Sequence, residues 1–406
     1  MPFAIPDTLK NEYEEYLTLL PLRKFAKTHK EAKIPLSKGR PVLIQGIEDF
    51  ANTNPVNLEI VESWIDASVC CGKKDVYLKD LTDDPIDKLR DNTYLEEKFF
   101  GKIKTHRHIS GNTYNESLAV CNYRHIDSPA GTVLRIILCK MINTFDPEGY
   151  ECSRLYPVIA NIYIDRKIIE IRVKPKANMF LYRNLSKDNA EDVHISTTSE
   201  KVATAALESL CEWLEIKIET NVFRLNEMNK RRIYHLLESC IDIPDEIETS
   251  LDSCRDEFSR ILSYFMQHVK SLTDADSSAF IDDIKTVFEK YIATTRTDFS
   301  IFIQNKRMYP VRLIASDADT SKVDQTSAGK KPLQSRPIFY NNKSMIYNNK
   351  RCDGIQFYVK KDENISTSQD YFLTVKSMKG YCNLSWNMYI DEDEVDYVLL
   401  RIIDLY

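Results

Sequence analysis

Residues 155–183, LYPVIANIYIDRKIIEIRVKPKANMFLYR, constrain the fold more than any other stretch of the chain. Val158, Ala160, Ile162 and Ile164 alternate with Ile159, Asn161 and Tyr163, and the alternation resumes after Asp165, Arg166 and Lys167 at Ile169, Ile171 and Val173. A period of two marks β-strands, and a short polar break between two such runs reads as a hairpin. The other face of the second arm carries Glu170, Arg172 and Lys174, spaced as same-side residues of one strand. That face is expected to be wet and mostly basic.

The rest of the chain is organised around this hairpin. From residue 99 the texture is β, with short apolar runs at 101–109, 117–126 and 132–141 separated by Ser110-Gly111-Asn112 and by Ser128-Pro129-Ala130-Gly131. These runs predict an antiparallel meander. Ahead of them, 42–47 reads as a strand and 56–71, which contains Trp64, as a helix. The pattern turns helical after residue 195. Thr197 and Glu200 form a capping box ahead of Val202, Ala206, Leu210 and Leu214. Further on, Ile247, Leu251, Cys254, Phe258, Ile261 and Phe265 recur as a heptad-like seam. Alternation returns from residue 299, interrupted by a polar stretch at 316–335. The expectation is an α+β protein in three parts: an N-terminal α+β domain with the meander (1–185), an acidic helical module (186–298), and a β-rich C-terminal domain (299–406) with a flexible loop at 316–335. A length of 406 residues agrees with two or three domains.

Composition excludes several classes of function. The chain has ten glycines and none between Gly149 and Gly329, and no glycine-rich phosphate loop of nucleotide-binding type is present. No nucleophile elbow or His-Glu-x-x-His motif occurs, so hydrolase chemistry has no positive signal. Ten cysteines at irregular spacing read as buried thiols. No stretch is apolar enough for a membrane helix, so a cytoplasmic protein without a membrane partner is expected. No cofactor is expected.

A net charge of −6 conceals a strong segregation. Residues 99–184 carry 13 basic and 7 acidic side chains and 302–361 carry 12 and 4, whereas 186–301 carry 13 and 23. Two readings follow: a polyanionic partner for the basic sheets, or pairing of basic and acidic groups inside the molecule. The first gives a non-catalytic nucleic-acid-binding protein. Its contacts would be Lys102, Lys104, Arg107, Arg166, Lys167, Arg172, Lys174, Lys176, Arg336 and Arg351, together with the repeat Tyr340-Asn341-Asn342-Lys343 and Tyr347-Asn348-Asn349-Lys350. In that repeat tyrosines would stack on bases and lysines would neutralise phosphate; two Asn-Asn turns around a short strand give the same pattern. The helices at 197–298 would hold a partner protein or a second copy, which is also the basis of a scaffold reading.

Two further constellations carry chemistry. Asp165 and Glu170 with Lys174 would form the acidic pair and lysine of a metal-dependent nuclease, against a solvated strand face. His106 and His108 on one expected strand, with Cys121 and His125 on the next, would supply a tetrahedral zinc site, against ordinary surface histidines. Arg231, Arg232 and His235 share one face of a helix and read as a solvated basic surface.

Overall fold

The computed structural model describes residues 2–10, 16–82, 86–146, 148–184, 192–269, 274–316, 322–362 and 369–405. It is an α+β protein whose strands pair antiparallel. The strands are β1 (Asp75–Asp80), β2 (Ala119–Ser128), β3 (Gly131–Phe145), β4 (Glu151–Tyr163), β5 (Ile168–Val173), β6 (Met179–Asn184), β7 (Asp192–Thr197), β8 (Met308–Ser316), β9 (Lys322–Thr326), β10 (Gly354–Val359), β11 (Tyr371–Met378) and β12 (Tyr381–Trp386). The chain divides into two compact units, one of residues 1–220 and 383–404 and one of residues 221–382. This division differs from the three parts expected from sequence, because the first helix of the expected helical module packs against the meander.

In the first unit the strand order is β7-β6-β3-β4-β5-β1-β12, with β2 also on β3. The predicted hairpin is β4 and β5, closed by a 3-10 turn at Ile164–Arg166 and by Lys167 in the left-handed region (φ 55°). Its first face is core, as expected. Ile169, Ile171 and Val173 join Leu134, Ile136, Val158 and Ile162, and the helices Asn92–Phe99 and Ser199–Leu214 close over them with Leu95, Phe99, Val202, Ala206 and Leu210. The second face is not wet. Ile137, Cys139, Leu155 and Ile159 on that face pack under the helices Leu19–Thr28, Arg40–Ala51 and Pro55–Cys70 through Phe25, Leu43, Ile47, Phe50, Val61 and Ile65. A sheet covered on both sides is written as continuous apolar runs, and residues 133–139 are buried without interruption. Each fully buried aliphatic or aromatic side chain in these two layers contributes about 1.5–3 kcal/mol.

The stretch 42–47, expected as a strand, lies inside the helix Arg40–Ala51. Gly39 caps it, Pro41 stands in its first turn, and Leu43, Ile44, Ile47, Phe50 and Ala51 fall on one buried stripe. The run 101–109 forms no strand either; it is a loop that touches the sheet at one bridge, Ile103 to Val120. The turn between β2 and β3 follows its sequence signal. Gly131 takes φ 100°, and a side chain there would collide with Asp165, whose carboxylate accepts the Thr132 N–H at 2.9 Å.

In the second unit the strand order is β11-β10-β8-β9, and the helix Val222–Glu238 lies beside it. The expected seam helix is broken at Cys254 (φ −98°, ψ 8°) into Asp245–Ser253 and Arg255–His268. Ile247 and Phe258 are buried and Phe258 meets Phe288 at 4.9 Å, but Phe265 remains 41% exposed. The stretch 316–335 is largely structured: β9 runs through it, and Gln325, Leu333, Gln334 and Ser335 are buried. Residues 317–321 lie outside the described residues.

Candidate metal centre

The helix Pro55–Cys70 begins at Asn54, whose side chain accepts the Asn57 N–H at 2.9 Å, with Pro55 in the first turn. Such a start fixes the phase of the whole helix. Glu59, Glu62 and Asp66 therefore follow one another along a single face, one turn apart. The loop 104–112 lies on that face. Asn112 braces it, donating to the carbonyls of His106 (2.6 Å) and His108 (2.8 Å) and accepting from the His106 N–H (3.2 Å). Ile109 N–H donates to Asp66 at 3.1 Å and the Ser110 hydroxyl to Glu62 at 3.0 Å, so two carboxylates hold the loop in place.

This arrangement brings Glu59, Glu62 and His108 together, with one ligand atom from each lying within 4.8 Å of the others. His108 is buried and its Nδ1 lies 2.9 Å from Asp66 Oδ2, while its Nε2 faces Glu59 at 3.2 Å. A carboxylate at Nδ1 is the arrangement seen in carboxylate–histidine pairs of metal sites, where it orients the ring so that Nε2 can serve as the ligand atom. His106 stands at the rim, 44% exposed, with its Nε2 3.9 Å from Glu62. Three carboxylates meet there. The counter-charge is Arg107, whose guanidinium pairs with Glu59 and donates to His108 Nε2 at 3.1 Å. It thus sits between Glu59 and His108 Nε2. The Arg107 contact, seconded by His108, holds the Glu59 carboxyl down to about 2, and burial raises that of Asp66.

The zinc set expected from sequence is divided by the fold. His106 and His108 meet on the loop, at 5.8 Å between rings. Cys121 is buried against the Tyr114 hydroxyl (3.2 Å), and His125 faces the Leu89 carbonyl (2.8 Å). The carboxylates of 59–66 went unread because nothing in a single sequence pairs a helix face with a loop some 40 residues further on.

The nuclease constellation is likewise separated. Asp165 is exposed on the hairpin turn and pairs with Arg90 at 2.5 Å. Glu170 is buried inside an ion network that also corrects the expectation of a wet strand face. Arg135, Asn161 and Glu170 are register partners across β3, β4 and β5. Arg135 donates to Asn161 Oδ1 (2.8 Å) and Asn161 donates to Glu170 Oε2 (2.7 Å). Arg172, with no exposed surface, pairs with Glu170 beside it and with Glu392 (3.6 Å) and Asp396 (3.3 Å) of the helix Glu392–Ile403. Lys174 is 7% exposed and lies 4.6 Å from the Tyr16 ring.

The other expected nucleic-acid contacts are dispersed. Arg166 pairs with Asp404 (3.0 Å), Lys343 with Glu289, and Arg351 with Glu227 (3.0 Å). Tyr340 is buried and donates to the Gln334 carbonyl at 2.8 Å, and Tyr347 packs edge-on against Tyr234. The Tyr-Asn-Asn-Lys repeat is two short helices, Pro337–Asn341 and Lys343–Asn349, and its seven-residue spacing turns both tyrosines inward. Lys102 and Lys104 are half-buried: Lys102 donates to the Lys98 carbonyl at 2.9 Å and lies over the Trp213 ring, and Lys104 lies over the Tyr114 ring. Lys176 and Arg336 are half-buried; Lys167 and Lys350 are exposed in left-handed turns. On the helix Val222–Glu238, His235 faces Glu238 (3.2 Å) and Arg232 faces Asn229 (3.2 Å).

No protein-family model matches the chain, and no curated protein or solved structure matches it. Among the described residues, no helix is long and apolar enough to cross a membrane.

Proposed function

We propose that the protein binds a divalent transition-metal ion through Glu59, Glu62 and the Nε2 of His108, with His106 at the rim and Asp66 orienting His108. The observation that supports this is the convergence of three ligand atoms within 4.8 Å, combined with the Asp66–His108 hydrogen bond behind them. Mixed carboxylate and imidazole ligands suit zinc, manganese, iron or cobalt, and not copper(I), which prefers sulfur. Arg107, 69% exposed, is free to swing outward when a metal takes its place. The solvent side, at Glu59 and His106, leaves room for an oxygen ligand. Cobalt(II) is the direct probe. The expected spectrum has visible d–d bands without thiolate charge transfer, and the bands disappear in His108→Gln. A strong near-ultraviolet charge-transfer band would move the site to cysteine, and no binding would end the proposal.

A second reading has one observation in its favour. Lys104 and Arg107 stand on the loop that carries His106 and His108, so cations would lie near any phosphate oxygen that completes the metal shell. In this reading the protein contacts nucleic acid at the metal-bearing loop. Binding of single-stranded DNA or RNA would then require metal, would fall steeply with salt, and would weaken in Lys104→Glu. Binding that is equal with metal and with chelator would contradict it.

A further inference from the structure

Residues 23–40, RKFAKTHKEAKIPLSKGR, carry seven basic side chains and one acidic one. They run from the helix Leu19–Thr28 through a 3-10 turn at Lys30–Ala32 to the start of the helix Arg40–Ala51. Leu22, Phe25 and Ala26 turn into the core, which leaves Arg23, Lys24 and Lys27 on the outer face of the first helix. Lys30, Lys33 and Lys38 are exposed beyond it, Lys33 in the left-handed region (φ 53°). Lys24 reaches Asp391 at 3.4 Å, and the one acidic side chain, Glu31, is taken by His29 at 3.0 Å. Arg23, Lys27, Lys30, Lys33 and Lys38 form no ion pair among the described residues.

Unpaired lysines on a helix are usually no more than a solvated face. The difference here is the apolar group among them. Pro35–Lys38 is a β-turn, closed by the Lys38 N–H donating to the Pro35 carbonyl at 3.2 Å, and its second residue is Leu36, 46% exposed. Surface turns are ordinarily built from Gly, Pro, Asn, Asp and Ser, and leucine has none of their conformational advantages. Val42, equally exposed, lines with Lys33, Pro35 and Pro41 an open groove of about 600 Å³, where Asp49 accepts from Gln45 at 2.9 Å. Two aliphatic side chains thus face water between cations that have no partner. Stacking of nucleic-acid bases needs exposed aromatic faces, whereas the rings of this segment, Phe25 and His29, lie against each other at 4.4 Å with Phe25 buried.

We infer that this face docks on an anionic lipid bilayer, with Arg23, Lys27, Lys30, Lys33 and Lys38 against the head groups and Leu36 and Val42 entering the interface. Clusters of four to eight lysines and arginines on an amphipathic helix suit an anionic leaflet. The aliphatic tips add apolar burial, the second contribution to surface binding. The expectation of no membrane partner rested on the lack of an apolar span and does not bear on a surface contact, which needs none. None of the metal ligands takes part.

The full chain is mixed, in chelator, with vesicles of phosphatidylcholine alone and with vesicles that also contain phosphatidylserine, and the bound fraction is read by sedimentation as salt is raised. The expected result is binding to the anionic vesicles only, falling steeply with salt. Lys27→Ala, Lys30→Ala, Lys33→Ala and Lys38→Ala should each weaken partition roughly fivefold. Leu36→Ser, at an exposed turn, should weaken it several-fold without altering the salt dependence or thermal unfolding. In Leu36→Trp the emission should shift to the blue on anionic vesicles and on no others. No partition at low salt, equal partition to both kinds of vesicle, or a Leu36→Trp emission that does not move on binding would overturn the inference. Single- or double-stranded DNA that binds where the vesicles do not would give the face to nucleic acid and overturn it as well.

Discussion

Arg172 shows what a strand pattern reveals about a single residue and what it withholds. Period two correctly places Glu170, Arg172 and Lys174 on one side of β5. It does not say what covers that side, because the covering helices come from residues 19–70 and 392–403 and carry no mark of their destination. Covered, the arginine must be paired: an isolated charge in a dry interior is prohibitively costly, and two carboxylates of another helix complete what Glu170 begins. Removing one partner should therefore hurt more than removing both. Glu170→Gln should lower the unfolding free energy of the chain by about 3–5 kcal/mol, whereas Glu170→Leu with Arg172→Met should recover most of that loss. Urea titration of the two variants decides it. A double variant as unstable as the single one would show that the pair itself, and not the stranded charge, dominates.

At the scale of elements, the strongly periodic segments were readable. The β4–β5 hairpin, the long β3, the helix Pro55–Cys70 and the helix Ser199–Leu214 stand close to where periodicity puts them. Segments whose pattern is short or shared were not. Residues 42–47 satisfy both a strand and one side of a helix, and only Gly39 and Pro41 tip the balance. The seam at 247–265 has the right spacing but is interrupted at Cys254, which local sequence does not forbid. The loop 104–112 is the element on which the proposed metal site depends, and it is held by side chains, not by a ladder. Gly111 lies against His106, and any Cβ there would run into the imidazole. Gly111→Ala should displace the ring and destabilise the chain by about 1–3 kcal/mol, the usual cost of overpacking. An unchanged urea midpoint would mean that the loop yields freely and that His106 is not held at the rim.

For the whole molecule, part of the segregated charge is answered inside the protein. Some basic residues of 99–184 and 302–361 meet carboxylates in their own units: Arg107 meets Glu59, Arg166 meets Asp404, Arg172 meets Glu392 and Asp396, and Arg351 meets Glu227. Composition shows that the two signs are separated along the chain, and the fold shows which of these charges meet. It also gathers Glu59, Glu62, Asp66, His106 and His108, the site on which the proposed function stands.

Zinc titration of metal-free protein by calorimetry tests that site most directly. One ion should bind per chain in the wild type, more tightly in Arg107→Gln, where the competing guanidinium is gone, and at least tenfold more weakly in Glu62→Gln, which loses one anionic ligand. Zinc binding that is equal in all three proteins, or absent from the wild type, would leave the cluster as a salt-bridged brace for the loop and no metal centre at all.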